Sequence, residues 1–338
     1  MGSLTVERVR LPLRAPLVAA WGSLSVRELV RVRLSLGGNW GLGEAAPLEP
    51  YDGVPMAVVL AALDAYAEVV ADEPDALLDA CRAERDVPQA LAAIDLALWD
   101  LEGRRSGRPV AELLGAPAVP VPVNALIGAE DRAGAASAAA DAAAAGYRCV
   151  KVKVGIGDDA GRLAAVRAAV GPEVAIRADA NGAWRSVREA SANLRALAPV
   201  GLELCEEPLH GVDALRELRA ESPVPIAMDE SAAEPGAAGS GAADAVCLKI
   251  SRCGGIGGVL RDAAAAREAG SAVYLASTFD GPLGVAAALH AAAALRSTGE
   301  LLPCGLATLG AFEGVAAPAL RDGALAPPPG PGLGSWEP

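Results

Sequence analysis

Three acidic residues stand just past the ends of three consecutive apolar runs: Asp179 after ValAlaIleArgAla, Glu206 after GlyLeuGluLeuCys, and Asp229 after ValProIleAlaMet. They are 27 and 23 residues apart, about one strand, one helix and two loops each. Lys151 and Lys153 lie one such unit earlier and Lys249 one unit later. In a barrel of repeated βα units, residues just past each strand meet at one mouth. Three carboxylates there can grip a hard divalent cation through oxygen, Mg²⁺ first and Mn²⁺ as an alternative. A lysine crowded by other cations can give up its proton and act as a base. Together these groups describe metal-assisted removal of a proton from carbon, by way of an enediolate.

The elements that must position them follow from patterning. Residues 4–36 read as strands, and LeuValArgValArgLeuSerLeu alternates with period two, as a sheet with one wet face requires. GlyGlyAsn at 37–39 is a hairpin turn signal. Residues 54–103 read as helices, starting near Pro55 and stopping at Gly103. From Val121 onward, short apolar runs alternate with Ala-rich helical segments, placing strands near 121–127, 149–154, 174–179, 201–206, 224–228, 244–250, 272–277 and 300–304. The fold class is therefore α/β: a modified TIM-type (β/α) barrel over 116–305, with an α+β capping domain from 1–115 and the C-terminal segment 306–338.

Composition narrows the function. There are 29 basic and 42 acidic residues, a net charge of −13, which opposes binding to nucleic acid or anionic lipid. The expected partner is a small carboxylate substrate, no nucleic acid and no membrane, with a homo-oligomer left open. No run is long and apolar enough to span a bilayer, and the start lacks a signal core, so a cytoplasmic location is expected. Six cysteines without paired spacing read as buried reduced thiols.

LysValLys at 151–153, AspAlaAsn at 179–181, GluGluPro at 206–208, AspGluSer at 229–231, and Lys249 followed by GlyGlyIle at 254–256 resemble the enolase superfamily, muconate-lactonizing subgroup. IleAspLeuAlaLeuTrpAspLeuGluGly at 94–103 resembles the helix leading into that family's barrel. The resemblance implies a barrel with one strand of reversed direction. It also implies that Asp179, Glu206 and Asp229 bind Mg²⁺, with Asn181, Glu207 and Glu230 supporting them. Lys153 becomes the base, Lys151 its tuner, and Lys249 a second acid/base or a fixed cation. Where the mandelate racemase branch has a histidine as its opposing base, this chain has Lys249. His210 and His290 read as structural.

AlaSerThrPheAspGlyProLeuGly (276–284) and CysGlyLeuAlaThrLeu (304–309) resemble the corresponding stretches of o-succinylbenzoate synthases, lyases that serve menaquinone biosynthesis. Ala307 and Thr278-Phe279 depart from their usual pattern. The stretch implies syn elimination of water from a cyclohexadiene carboxylate, with Ser277 near the substrate. N-succinylamino acid racemase and dipeptide epimerase are the alternatives, although the eighth strand lacks the Asp-x-Asp that holds an α-ammonium. Trp21-Gly22 and Tyr51-Asp52-Gly53 are candidates to close over the substrate. A different class also stays open: CysGlyGlyIleGlyGly at 253–258 could cradle phosphate on backbone N–H groups, making a phosphate-ligand-binding barrel without catalysis.

Overall fold

The computed structural model describes residues 2–19, 22–70, 76–128 and 131–336. The N-terminal strands form an antiparallel sheet in the order β1 (Ser3–Ala19), β2 (Gly22–Leu36) and β3 (Asn39–Ala45). Period two holds along β2: Val30, Val32, Leu34 and Leu36 are buried, while Arg31 and Arg33 face water. The buried face packs on the helices Met56–Val69, Leu77–Glu84 and Pro88–Ser106, around Leu63, Tyr66, Leu91 and Ile94. Each such side chain stabilises the fold by about 1.5–3 kcal/mol. β3 approaches the helix Pro88–Ser106 closely. A Cβ at Gly41 would lie 2.1 Å from the Ala97 carbonyl oxygen, and one at Gly43 would lie 1.8 Å from that of Ala93. That helix does not stop at Gly103. It runs to Ser106 and ends at Gly107, whose φ of 71° is left-handed. Gly103 serves packing instead, since a Cβ there would sit 2.4 Å from the backbone of Gly332.

The second unit is a curled parallel sheet of seven strands: β5 (Ala125–Ile127), β6 (Cys149–Lys153), β7 (Ala175–Asp179), β8 (Leu204–Glu206), β9 (Ile226–Met228), β10 (Ala245–Leu248) and β11 (Ala272–Leu275). Parallel bridges Val123–Cys304 and Ala276–Gly305 join its two edges, so the expected eighth strand exists only as this short closing stretch. No barrel strand is reversed: every described neighbour pair in the sheet is parallel. The antiparallel pair is β4 (Val121–Pro122) with β12 (Ala324–Leu325), where the C-terminal segment binds the start of the first barrel strand. One βα unit is incomplete. Between β9 and β10 there are only the short 3₁₀ turns Glu230–Ala233 and Ala237–Gly239. No described helix is long and apolar enough to cross a membrane.

The units are pinned where the seventh strand ends. The buried Arg27 guanidinium donates to the carbonyls of Ala46 and Pro47 on one side, and of Thr278 and Phe279 on the other. Glu44 Oε1 accepts from Gly281 N at 2.7 Å and Gly284 N at 3.3 Å, at the start of the helix Pro282–Thr298. The C-terminal segment returns to the capping sheet through the bridge Leu13–Phe312. The capping domain is thereby held over the C-terminal ends of the barrel strands.

Candidate active site

Residues in register on parallel neighbours point to the same face. The register Lys153–Asp179–Glu206 therefore sends all three side chains into the barrel, as Cys247–Tyr274 does further round. On one flank, Lys151 Nζ lies 2.6 Å from Glu206 Oε1 and 3.0 Å from Asp179 Oδ2. Lys153 Nζ donates to Asp179 Oδ2 at 2.8 Å and to the side-chain oxygen of Asn181. On the other flank, Lys249 Nζ lies 2.6 Å from Asp229 Oδ2, and Arg252 Nη2 donates to Asp229 Oδ1 at 2.9 Å. Tyr51, from the capping domain, accepts from Arg252 Nη1 at 2.9 Å and donates to Asp229 Oδ2 at 2.9 Å. Below, Tyr274 Oη donates to Glu206 Oε2 at 2.6 Å, with the Arg177 guanidinium 4.8 Å from its ring centre.

Two of the three expected supporting residues sit on strained backbone. Asn181 and Glu207 follow the first two carboxylates with φ of 44° and 38°, values uncommon outside glycine. Glu207 turns away from the mouth. Its carboxylate accepts from Asp229 N at 2.7 Å and Ser231 N at 3.0 Å, and so fixes the backbone that carries Asp229. Asn181 Nδ2 donates to Glu230 Oε1 at 2.8 Å, while Glu230 Oε2 is buried without a partner among the described residues.

Other expected residues fall elsewhere. Ser277 Oγ accepts from Asp280 N at 2.8 Å and from Thr308 Oγ1 at 3.2 Å, tying the seventh strand to the eighth rather than touching the lysines. Trp21 lies outside the described residues. Tyr51 reaches the mouth, whereas Asp52 is spent on its own turn, accepting from Leu48 N and Val54 N. His210 Nδ1 meets Glu207 Oε1 at 3.0 Å, and His290 bridges Ala111 N and the Leu333 carbonyl. The glycine-rich loop at 253–258 is no phosphate cradle. The Asp95 carboxylate already accepts from Ile256 N at 2.6 Å, and a Cβ at Gly255 would collide with it at 2.3 Å. These glycines admit Asp95, and its charge would repel an anion.

Burial and charge oppose each other throughout. Burial would raise Asp179, but Lys151 and Lys153 hold it at about 2. Burial would raise Asp229 too, yet Lys249, Arg252 and Lys151 keep it well below the usual carboxylate value. Glu206 is pushed up by burial, against Lys151, with Asp179 and Asp229 adding to the rise. Burial, then Asp229, lifts Glu230 to about 7. Lys151 departs from the expectation of mutual depression between the paired lysines. Burial lowers it, but Asp179, Glu206 and Asp229 outweigh that and raise it well above its ordinary value.

The donor set fits a hard divalent cation: buried carboxylate oxygens converge and carry charge to match. Donor atoms of Glu206, Asp229 and Cys247 lie within 4.8 Å of one another. Asp179 is outside that tighter group and is tied to Glu206 through the Lys151 ammonium. A cavity of about 560 Å³ opens beside the site, between Arg82–Leu91, the loop replacing the missing helix, and the helix Ile256–Glu268. It reaches Arg252 and Cys247 but is not lined by the lysines or by the three carboxylates.

Arg252, Tyr274 and Cys247 were missed by sequence reasoning, and Tyr51 was expected only as part of a turn closing over the substrate, not as a partner of Asp229. Arg252 carried a signal, three residues past Lys249 where the strand turns into the helix Ile250–Cys253. Cys247 carried another, two residues before Lys249 in the same extended stretch.

Residues 134–335 match the family model described as enolase C-terminal domain-like, and residues 1–115 match the mandelate racemase / muconate lactonizing enzyme N-terminal domain. The chain belongs to the enolase superfamily. It is 28% identical to an N-succinyl-L-Arg/Lys racemase of Bacillus cereus, over 84% of this chain and 81% of that protein. It is 42% identical to an o-succinylbenzoate synthase of Mycobacterium ulcerans over 193 residues, which cover 54% of this chain and 57% of the relative. A dipeptide epimerase from Enterococcus faecalis, solved with Mg and a dipeptide, superposes with a TM-score of 0.88 at 25% identity, over 98% of each chain.

Proposed function

We propose that this enzyme removes the proton α to the carboxylate of a small organic acid, and that its reaction is the syn-dehydration that forms o-succinylbenzoate. The observation that carries this reading is the row of three carboxylates flanked at each end by a lysine, Lys153 on Asp179 and Lys249 on Asp229. Asp179, Glu206 and Asp229 would hold Mg²⁺, and Mn²⁺ suits the same oxygens. Bound there, the ion would stabilise negative charge developing on the substrate carboxylate. Lys153, as the free amine, takes the α-proton, and the electron pair passes into an enediolate. The same proton then leaves with the departing hydroxide as water, which restores the base. Lys151, held cationic by its carboxylates, adds positive charge to the site. Lys249 stabilises the enediolate without exchanging a proton.

Two facts favour dehydration. The eighth-strand stretch offers Gly305, Leu306 and Ala307, no acid for a substrate ammonium. The relative at 42% identity has that activity. N-succinylamino acid racemization is the second reading, because Lys249 supplies a second amine and the racemase likeness spans more of the chain. The test is an absorbance assay with the cyclohexadiene precursor of o-succinylbenzoate, run beside a panel of N-succinyl amino acids in deuterated water. Dehydration with Mg²⁺ is expected. Racemization without dehydration would transfer the assignment to the second reading. Neither dehydration nor α-proton exchange on any substrate would overturn the proposal.

A further inference from the structure

We infer that Cys247 turns the Glu206–Asp229 end of this site into a mixed oxygen–sulfur metal site, which takes a borderline divalent ion such as Co²⁺ or Zn²⁺ with the thiolate as a direct ligand. The inference rests on reading those carboxylates as metal ligands. Ala245 and Cys247 share one face of β10, and Lys249 continues that alternation in extended backbone just past the strand's end, so the thiol lies one layer below the Lys249 ammonium. Its register partner is Tyr274, whose hydroxyl binds Glu206. The sulfur and one oxygen from each carboxylate lie within 4.8 Å of one another. Ligands around one tetrahedral ion stand roughly 3.5 Å apart, so small side-chain rotations bring all three to a common centre.

A second observation concerns the thiol itself. Cys247 is fully buried, and its sulfur has no hydrogen-bond partner among the described residues. Of the other buried cysteines, Cys149, Cys205 and Cys304 each have one, and Cys81, which also lacks one, sits in the apolar core of the capping domain rather than beside carboxylates. An unpartnered thiol aimed at two buried carboxylates is a donor without an acceptor. The flank cavity is lined in part by Cys247 and Arg252 and not by the lysines. Binding releases the thiol proton to solvent as the metal–sulfur bond forms. Hard Mg²⁺, which keeps oxygen ligands, gains nothing from the thiolate. Cys247 should therefore set which ions compete, and leave Mg²⁺ affinity alone.

The full-length protein, stripped of metal and titrated with Co²⁺, is expected to develop a near-ultraviolet thiolate-to-cobalt charge-transfer band at one equivalent. Cys247→Ser and Asp229→Asn should both lose it. Loss of one ligand weakens such sites by roughly 10-fold or more. Co²⁺ affinity should fall by that factor in Cys247→Ser, while Mg²⁺ affinity, read by calorimetry, should change less than about twofold. A wild-type spectrum without the band overturns the inference, as does a band that survives in Cys247→Ser or an equal loss of Mg²⁺ affinity. The wild-type spectrum decides the first arm even if a variant fails to fold. Wild type that binds Mg²⁺ but shows no cobalt–sulfur band sinks only the thiol ligand. Wild type that binds no Mg²⁺ sinks the metal-assisted reading itself.

Discussion

The two flanks of the mouth carry the same pairing, a lysine on an aspartate, but differ in what surrounds it. Lys153 keeps 28% of its side chain exposed and meets Asp179 and Asn181, both from the barrel. Lys249 is 5% exposed and enclosed by Asp229, Arg252 and the capping-domain Tyr51. One flank is open and built from barrel residues alone. The other is closed and held by both domains. A group that must take up and give back a proton needs the freer position, whereas one that only supplies charge gains from a fixed, dry one. The surroundings thus separate two lysines that composition makes equivalent.

The sharpest way to break this contrast is Lys153→Ala. Loss of the base should lower turnover by about 10²–10⁴-fold, with Mg²⁺ binding retained, as steady-state kinetics and calorimetry would show. Turnover near wild type would remove Lys153 from its role.

Asp229→Asn comes next and acts on the closed flank. It strips the partner from buried Lys249 and Arg252, a class of change that costs about 3–5 kcal/mol. Thermal melts should fall accordingly, and metal binding should weaken. An unchanged melt would mean that the cluster is more solvated than its burial implies.

Lys249→Ala separates the two reactions. Under dehydration, substrate α-proton exchange at Lys153 persists and turnover falls through lost charge stabilisation, by roughly 10²–10³-fold. Under racemization, one enantiomer of an N-succinyl amino acid still exchanges in deuterated water while the other stops. Proton NMR of the two enantiomers distinguishes the outcomes.

What the sequence revealed divides along the same line. Asp179, Glu206, Asp229 and the three lysines are legible because each follows an apolar run, and strand ends meet at one mouth whatever the side-chain detail. The period-two core of β2 is legible for the same local reason. The contacts that close the other flank around Asp229 and Glu206 are not. Tyr51 touches Asp229 across 178 residues, and Tyr274 reaches Glu206 across 68, pairings fixed by domain docking and sheet register. The glycines at 254–258 were open to two uses because their neighbour, Asp95, lies on a capping helix 161 residues from Ile256. The eighth strand was weak because only two bridges hold it, and a helix was expected after β9 where the chain makes two short turns.

The smallest expected effect tests whether the closed flank is truly fastened to the capping domain. Asp95 caps the helix that follows Lys249's strand, and burial, against hydrogen bonds from Ile256 and Gly257, raises its carboxyl from 3.8 to about 6. A raised carboxyl pKa means that the folded protein holds a proton which the unfolded chain has lost. The charged form therefore disfavours folding, with no cost below about pH 4 and the full cost above about pH 6, at most on the order of 3 kcal/mol. Asparagine keeps an oxygen acceptor for Ile256 N and carries no charge. Asp95→Asn should match wild type in chemical denaturation at pH 4, then gain on it steadily up to pH 6 and hold the gain beyond. Activity with the Mg²⁺-loaded enzyme should stay near wild type, since the cap's geometry is preserved. Denaturation midpoints that run parallel from pH 4 to pH 7 would mean that Asp95 is solvated in the folded protein. The helix after β10 would then be free of the capping domain, and the asymmetry between the flanks would rest on Tyr51 and Arg252 alone.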